Sequence, residues 1–414
     1  MSNTISISSN LLEERIKKSG KTKKAICSEI GISPITLRRW LNGSVTEVRH
    51  DNLQKISLCL NCRDDDLIEQ DNLSLSAEEQ SLAVNSLDQN EFYSSFIRDG
   101  WQLGATVMKT MFRADLNTKA RIQLYFWMSI YRFLIGKTKD AKDIADKVTN
   151  LSKNRDITTE EEIQLHACIH SRELNPACVP GFEYVISESK DPIKRVMSSY
   201  MLMEWYQVTG NFDKGRIAAF KGKSILDDLS NPFLKTAYNG AFELLLSFFD
   251  TFEGNYSKAA YHLELASKSV NKVHWGRGKI AVRIFQTLLT AHLGGEVSEQ
   301  IRKGFASIPE KDGFKAGLQG FCLRSARVIK DYALVEELYR KIKPTENLSL
   351  DLYIQAEYAL TLSEMGKVEQ FAELAEYLIA EQKKANPDVE NNFFIKTILN
   401  EKERWQAKDE FSAS

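Results

Sequence analysis

The sequence predicts an all-α protein, in which a small N-terminal helical domain is followed by a right-handed α-solenoid of degenerate helix-pair repeats. Three observations lead to this fold class. The 414 residues include only 8 prolines, so long helices can continue without interruption. Alternation of apolar and polar residues, which marks strands, is scarce. From about residue 92 onward, two amphipathic helices around a glycine-marked turn recur along the chain.

The composition is that of an ordinary folded protein. Hydrophobic residues make up 43% of the chain and charged residues 27%, and the formal net charge is −1. No apolar run approaches the length of a membrane span. The first ten residues lack the basic start and apolar core of a secretory signal. We therefore expect a cytoplasmic protein of two or three domains.

Residues 22–30 carry the pattern of a short capped helix. Thr22 can cap its start, because a threonine hydroxyl accepts a hydrogen bond from an N–H group of the first turn. Gly31 follows at the point where a helix commonly ends in a left-handed residue. The apolar residues on one side are Ala25, Ile26 and Ile30.

A second short helix is predicted directly after this glycine. Ser33 can cap it, and Pro34 fits its first turn, where a missing N–H group costs nothing. Leu37 and Leu41 face inward, and Asn42 and Gly43 end the helix. The domain as a whole is predicted to hold five helices, over residues 11–19, 22–30, 33–41, 51–60 and, more weakly, 64–69.

This pattern resembles the Cro/C1-type helix-turn-helix family over about the first 70 residues. Cys27 stands where the family needs a small residue at the helix crossing, and Ile32, Leu37 and Trp40 match its core positions. Pro34 departs from the family, whose members often carry glutamine nearby. The resemblance implies that residues 1–70 form a DNA-binding domain of a transcription regulator, with double-stranded operator DNA as partner.

Basic residues concentrate around this motif, and Glu29 is the single acid between positions 15 and 39. The outer surface of the second helix is expected to contact DNA through Ser33, Ile35, Thr36, Arg38 and Arg39. Either arginine can make a bidentate contact to guanine. Phosphates are expected to be held by Lys21, Lys23 and Lys24. The alternative interpretation is a solvated basic face on a purely structural helix pair.

A polar segment separates this domain from the rest of the chain. Residues 71–91 are predicted to be a linker and connecting helix, with Ser76 and Glu79 as a capping box. Residues 92–385 are predicted to form the repeat domain. Residues 386–414, with a helix over about 389–408, are expected to cap the array or to pair with a second subunit.

The repeats are clearest at residues 254–266, where a glycine turn precedes a helix with small residues. The same turn position is taken by Gly136, Gly210, Lys330 and Gly366, and a unit of roughly 36 to 44 residues fits if unmarked copies lie near Asn175 and Gly294. The pattern resembles the tetratricopeptide repeat family, whose second helix needs small residues for packing. Here these residues are Ala141, Ala259 and Ala266.

First helices of such an array line its concave surface. They are predicted over about residues 119–135, 194–209, 232–252, 277–292, 315–329 and 349–365. Their polar and aromatic members are candidate ligand contacts: Arg195, Tyr200, Glu204, Lys235, Tyr238, Asn239, Arg283, Gln286, Arg324, Tyr353 and Gln355. Asn239 stands mid-helix, where its amide could either grip a peptide backbone or bond a neighbouring helix.

Cysteine and histidine spacing does not favour a metal site. The 6 cysteines form no disulfide framework, and the pairs Cys59 with Cys62 and His166 with His170 supply too few zinc ligands. Helix packing explains them better. Nucleotide-binding, hydrolase and metalloprotease motifs are not found, so we expect neither an enzyme nor a cofactor.

The order of the two domains resembles the RRNPP peptide-pheromone receptors of Gram-positive bacteria and their phages, which include the arbitrium receptors. The resemblance is one of architecture. It implies a homodimeric quorum-sensing regulator in which a short peptide lies in the concave groove and changes DNA binding. The alternative is a DNA-anchored scaffold whose groove holds a protein partner.

Overall fold

The computed structural model describes residues 4–45, 47–62, 64–67, 73–74, 114–116, 118–153, 159–310, 312–385 and 392–412. These residues form two compact units. The first comprises the described residues up to Ser74 together with Ala114 and Asp115, and the second begins at Leu116. The predicted linker over residues 71–91 lies outside the described residues, apart from Leu73 and Ser74.

The first unit is built around four α-helices. They are α1 (Ser9–Ser19), α2 (Lys23–Ile30), α3 (Pro34–Leu41) and α4 (His50–Cys59), followed by a 3-10 turn at Asp64–Asp66. The predicted caps are present. The hydroxyl of Thr22 accepts a hydrogen bond from the Ala25 N–H at 3.2 Å, and that of Ser33 accepts one from the Thr36 N–H at 3.1 Å. Gly31 ends α2 with a φ of 74°.

A short antiparallel ribbon, which the sequence did not predict, also belongs to this unit. Strand β1 (Thr4–Ser6) pairs with β2 (Glu47–Arg49), and the parallel pair β3 (Leu73–Ser74) and β4 (Ala114–Asp115) is shorter still. The helices of the first unit pack around one hydrophobic core. Its buried members include Leu12, Ile26, Cys27, Leu37, Trp40 and Leu53. Ala25 is exposed rather than inward, and Cys27 takes the buried position instead.

The second unit is an α-solenoid, as the sequence predicts. Its described residues form seven consecutive helix pairs and a final helix. The pairs are α5 (Thr118–Leu134) with α6 (Thr138–Lys153), α7 (Glu160–Arg172) with α8 (Cys178–Glu188), α9 (Pro192–Thr209) with α10 (Phe212–Ile225), α11 (Pro232–Phe252) with α12 (Tyr256–Lys272), α13 (Gly276–His292) with α14 (Ser298–Ser307), α15 (Lys315–Val328) with α16 (Tyr332–Tyr339), and α17 (Leu348–Glu364) with α18 (Val368–Ala385). The final helix is α19 (Phe393–Ser412).

The turn inside every pair contains one residue in the left-handed region. Glycine takes this position in five turns, at residues 136, 210, 254, 294 and 366, with φ between 71° and 80°. Leu174 and Lys330 take it in the other two, with φ of 58° and 59°. The unmarked copies predicted near Asn175 and Gly294 coincide with two of these turns.

Small residues let neighbouring helices approach closely. Ala259 and Ala266 of α12 have no exposed surface. On α10, a Cβ atom added at Gly222 would lie 2.3 Å from the ring of Phe242, and one added at Gly215 would lie 2.6 Å from the ring of Phe249. Aromatic side chains therefore fill the space that these glycines leave, at the density of a protein interior.

The last helix packs against the last pair and reaches back toward the middle of the array. The indole N–H of Trp405 donates to the Ser363 hydroxyl at 2.7 Å. At the other end of α19, the ring of Phe393 lies 5.5 Å from that of Phe212 and 5.6 Å from that of Phe252. Helices distant in sequence thus meet through aromatic contacts.

None of the helices in the described part of the chain is long and apolar enough to cross a membrane.

Candidate functional site: the DNA-binding surface and the solenoid cavity

Helices α2 and α3 hold the candidate DNA-reading surface. The N–H groups of Gly31 and Ile32 both donate to the Cys27 carbonyl, at 3.0 and 3.1 Å, which closes the end of α2 and fixes the turn. Leu37 and Trp40 bury the inner side of α3, with 1% and 4% of their surfaces exposed. The opposite side of α3 is therefore held outward by a rigid core.

The outward side of α3 contains the residues that the sequence predicts for DNA contact. Ser33, Arg38 and Arg39 are exposed, and Ile35 exposes 65% of its surface, which is unusual for a large apolar side chain. The hydroxyls of Ser33 and Thr36 lie 2.9 Å apart, so this pair also serves to cap the helix. An exposed isoleucine beside arginines suits contact with a thymine methyl group in the major groove.

The basic residues around this helix divide into two sets. Lys21 Nζ lies 2.7 Å from a Glu29 carboxylate oxygen, and this contact raises the pKa of Lys21. Lys17, Lys18 and Arg15 also pair with acids. Among the described residues, no ion-pair partner is found for the second set: Lys23, Lys24, Arg38 and Arg39. These four cations are thus the most available for phosphates or bases.

Residues 11–71 match the family model of the Cro/C1-type HTH DNA-binding domain. The N-terminal domain is a DNA-binding domain of this type. A comparison of the chain with curated proteins finds no match.

The first helices of all seven described pairs line a partly open cavity of about 210 Å³. Helices α5, α7, α9, α11, α13, α15 and α17 all contribute side chains, and Phe394 of α19 completes the wall. No second helix of the seven described pairs contributes. Most of the wall is apolar, with Ile130, Met197, Leu244, Phe285 and Phe321 among its members. An apolar cavity with a few polar groups is the usual form of a ligand site.

One end of this cavity is charged. An Arg172 Nη2 lies 3.4 Å from a Glu204 carboxylate oxygen, and the guanidinium also stands 5.3 Å from the centre of the Phe314 ring. Burial raises the pKa of Glu204, although Arg172, a hydrogen bond from Tyr200 and Arg277 all oppose that rise. Burial and the neighbouring Glu204 carboxylate raise the pKa of Tyr200, so its hydroxyl stays a donor.

The second arginine at this end is more firmly held. The guanidinium of Arg277 donates from Nε and Nη2 to both carboxylate oxygens of Asp312, at 2.8 and 2.7 Å. Asp312 also accepts the Phe314 N–H at 2.8 Å. This bidentate pair fixes the loop that places Phe314 in the wall, whereas the single, longer contact of Arg172 leaves that cation only weakly paired.

The structure brings four of the predicted ligand residues together in the cavity wall: Tyr200, Glu204, Tyr238 and Tyr353. The other candidates are not among the lining residues. Arg195 donates to the Ile186 carbonyl at 3.0 Å, Lys235 pairs with Asp227, and Arg324 pairs with Glu357 at 3.0 Å. Arg283 and Gln286 are exposed, and Gln355 is half-buried.

Asn239 lies in the contact between two helices. Its Nδ2 donates to the Ser269 hydroxyl of α12 at 3.3 Å, which is the inter-helix alternative that the sequence left open.

Sequence reasoning missed Arg172, Arg277, Asp312 and Phe314. Helix α7, which carries Arg172, was absent from the predicted first helices, and Asp312 and Phe314 stand before α15 rather than within it.

His166 and Cys168 lie on α7. Within the described residues, no group of three or more potential metal ligands is close together. His166 hydrogen-bonds Thr149 at 2.8 Å. Burial raises the pKa of Cys168, which lines the cavity, to about 12, so its thiol stays protonated near neutral pH and is a poor nucleophile.

A second cavity of about 650 Å³ lies beside the start of α19, lined among others by Thr209, Asn211, Lys214 and Lys396. Its lining is largely polar, which is typical of a solvated groove. The apolar cavity is the better ligand site, because it combines a desolvated wall with a small number of charged groups.

Proposed function

We propose that this protein is a transcription regulator whose solenoid senses a short signalling peptide and alters DNA binding by a homodimer. The tetratricopeptide-like character of the repeats and the resemblance to the RRNPP receptors are parts of this proposal. The observation that carries it is the cavity lined by the first helices of all seven described pairs. A ligand there lies among helices of pairs that are distant in sequence.

The mechanism follows from how a solenoid bends. Each helix pair packs mainly against its neighbours, so small changes between pairs add up to a change in curvature. Two DNA-binding domains of a dimer reach successive major grooves only when they are about 34 Å apart. A ligand that binds one curvature more tightly shifts the population toward it, and thereby changes operator affinity.

The proposal can be tested with the full chain. Duplex DNA selected from a random library should contain an inverted repeat, because a two-fold dimer presents two identical recognition helices. Sedimentation over a concentration series should show the dimer. A chain that stays monomeric while it binds a single half-site would refute the dimer mechanism.

One observation favours the scaffold alternative. Second helices of three consecutive pairs expose large apolar side chains, namely Tyr184, Ile217, Phe220 and Tyr261, and Phe220 exposes 76% of its surface. Such residues fit a protein partner or a second copy of this chain. The substitution Phe220→Ser distinguishes these two partners. Loss of the dimer assigns the surface to self-association, whereas an unchanged dimer favours the scaffold that binds another protein.

A further inference from the structure

Two polar side chains in the cavity wall lack hydrogen-bond partners. The Tyr353 hydroxyl and the Trp275 indole N–H are buried, and neither has a partner among the described residues. Tyr353 exposes only 3% of its surface. A buried polar group without a partner is costly, so two donors in one wall indicate a missing acceptor.

The two donors have different neighbours in the cavity wall. Trp275 precedes Arg277 by two residues, and Arg277 and Arg172 both stand beside Phe314. Tyr353 packs against other aromatic residues of the wall, with its ring 5.5 Å from that of Phe321 and 4.2 Å from that of Phe394. Phe314 and Phe321 are seven residues apart on or beside α15, which corresponds to about 10 Å of helix rise.

The charged groups around Arg172 in the cavity wall suit an anion. Arg172 is a cation with a single contact of 3.4 Å to Glu204, which is long for a charged pair. The raised pKa of Glu204 means that this carboxyl gains a proton more readily than an exposed one. A ligand carboxylate can therefore compete with Glu204 for Arg172, because burial disfavours the charged form of Glu204.

We propose that the cavity binds an apolar group that ends in a carboxylate, with the carboxylate on Arg172 and the Trp275 N–H and with a carbonyl on the Tyr353 hydroxyl. This inference rests on the ligand-sensing part of the proposed function and specifies its ligand. The volume of about 210 Å³ suits one or two apolar residues, since a cavity of about 150 Å³ holds benzene. The chemistry is shared by the C-terminus of an apolar peptide and by a short fatty acid. Only the peptide offers a carbonyl for Tyr353.

The test compares charged and neutral probes by calorimetry on the full chain. N-acetyl-Leu-Leu should bind at least about tenfold more tightly as the free acid than as the amide. Octanoate is the fatty-acid arm. In Arg172→Gln the preference for the acid should fall below about threefold, and in the control Arg302→Gln it should persist, because Arg302 pairs with Glu337 on α16 outside the cavity.

Two further variants separate a ligand role from a structural one. Glu204→Gln removes the competing carboxylate and should tighten free-acid binding about threefold or more. Tyr353→Phe should leave the unliganded melting temperature unchanged or raised, because the lost hydroxyl has no partner, yet weaken the acyl dipeptide about fivefold and leave octanoate unaffected. If Arg172→Gln does not fold, the double variant Arg172→Gln with Glu204→Gln removes both charges and should show the same loss of preference.

The outcomes distinguish this inference from the proposed function. Equal binding of acid and amide overturns the carboxylate site while peptide sensing stands. Arg172-dependent binding of octanoate alone supports the carboxylate site and counts against a peptide. Binding of none of the three probes overturns the inference.

Discussion

Arg38 and Arg39 are exposed on α3 without an ion-pair partner in the described residues, so we expect one of them to read a base. Arg38→Ala or Arg39→Ala should weaken operator binding by about 1–3 kcal/mol and relax the preference for guanine at one position. Selection of DNA by each variant measures both effects. An affinity loss that is equal for all sequences would assign the altered arginine to phosphate instead.

Lys23 and Lys21 form a matched pair for the phosphate contacts. Lys23 has no ion-pair partner in the described residues, and Lys21 is held by Glu29 at 2.7 Å. Lys23→Ala should lower the slope of log affinity against log salt by about one, without a change in sequence preference. Lys21→Ala should lower this slope less, since the Lys21 charge is already neutralised by Glu29. Equal slopes for both variants would show that the Glu29 pair opens on DNA.

His292 gives the solenoid a dependence on pH. Burial, together with Arg324 and Arg327, lowers the pKa of His292 to about 4, although Glu357 opposes the shift. The folded state thus keeps this imidazole neutral below pH 6.5, where the unfolded state takes up a proton. The free energy of unfolding should fall between pH 6.5 and pH 4, by up to about 3 kcal/mol from this group.

The substitution His292→Gln isolates that contribution. Urea unfolding at pH 8 sets the reference, because the histidine is neutral there in both states. The variant should lose less stability than the wild type as the pH falls to 4. Parallel pH profiles would contradict the lowered pKa.

Single residues were predictable from sequence where their role is local. Thr22, Ser33 and Gly31 act within four residues of their own position, so a sequence pattern contains the whole interaction. Arg172 and Asp312 depend on partners about thirty residues away, Glu204 and Arg277. Nothing in the sequence around a polar residue on an amphipathic helix tells whether it faces a cavity or a neighbouring helix, as Asn239 illustrates.

At the level of elements, the helix pairs were predicted best where glycine marks their turns. The bounds of α11 agree with the prediction, and those of α13 differ at one end only. Helix α7 was missed, and Leu174, not glycine, occupies the left-handed position after it. Leu174 exposes 2% of its surface, so its side chain contributes to the core at that turn. The ribbon of β1 and β2 was missed because three residues are too few to show alternation.

Lys330 tests the conformational cost of such a turn. It is exposed and has a φ of 59°, a region that costs a non-glycine residue about 1 kcal/mol. Lys330→Gly should therefore stabilise the protein by up to that amount in thermal unfolding. Gly366→Ala, at a φ of 73° with open space around it, should destabilise it similarly. A destabilised Lys330→Gly would mean that the lysine side chain makes an important contact.

At the scale of the whole molecule, the sequence predicted a solenoid but not the extent to which its first helices converge on one cavity. That convergence depends on distant contacts. The Gly313 N–H donates to the Leu134 carbonyl at 2.9 Å, and Phe393 packs on Phe212. Small angles between successive pairs determine these contacts, and a repeat pattern does not specify angles. The sequence alone therefore does not predict the cavity.

The central claim is that occupancy of this cavity changes DNA binding. The most direct measurement is the operator affinity of the full chain, with DNA selected by the wild type, in the absence and presence of a saturating free-acid probe. We expect the probe to change wild-type operator affinity about fivefold or more, in either direction, and to leave Arg172→Gln unaffected. A probe that binds the cavity while operator affinity stays the same would contradict the claim, because linkage between the two sites requires each ligand to change the affinity for the other.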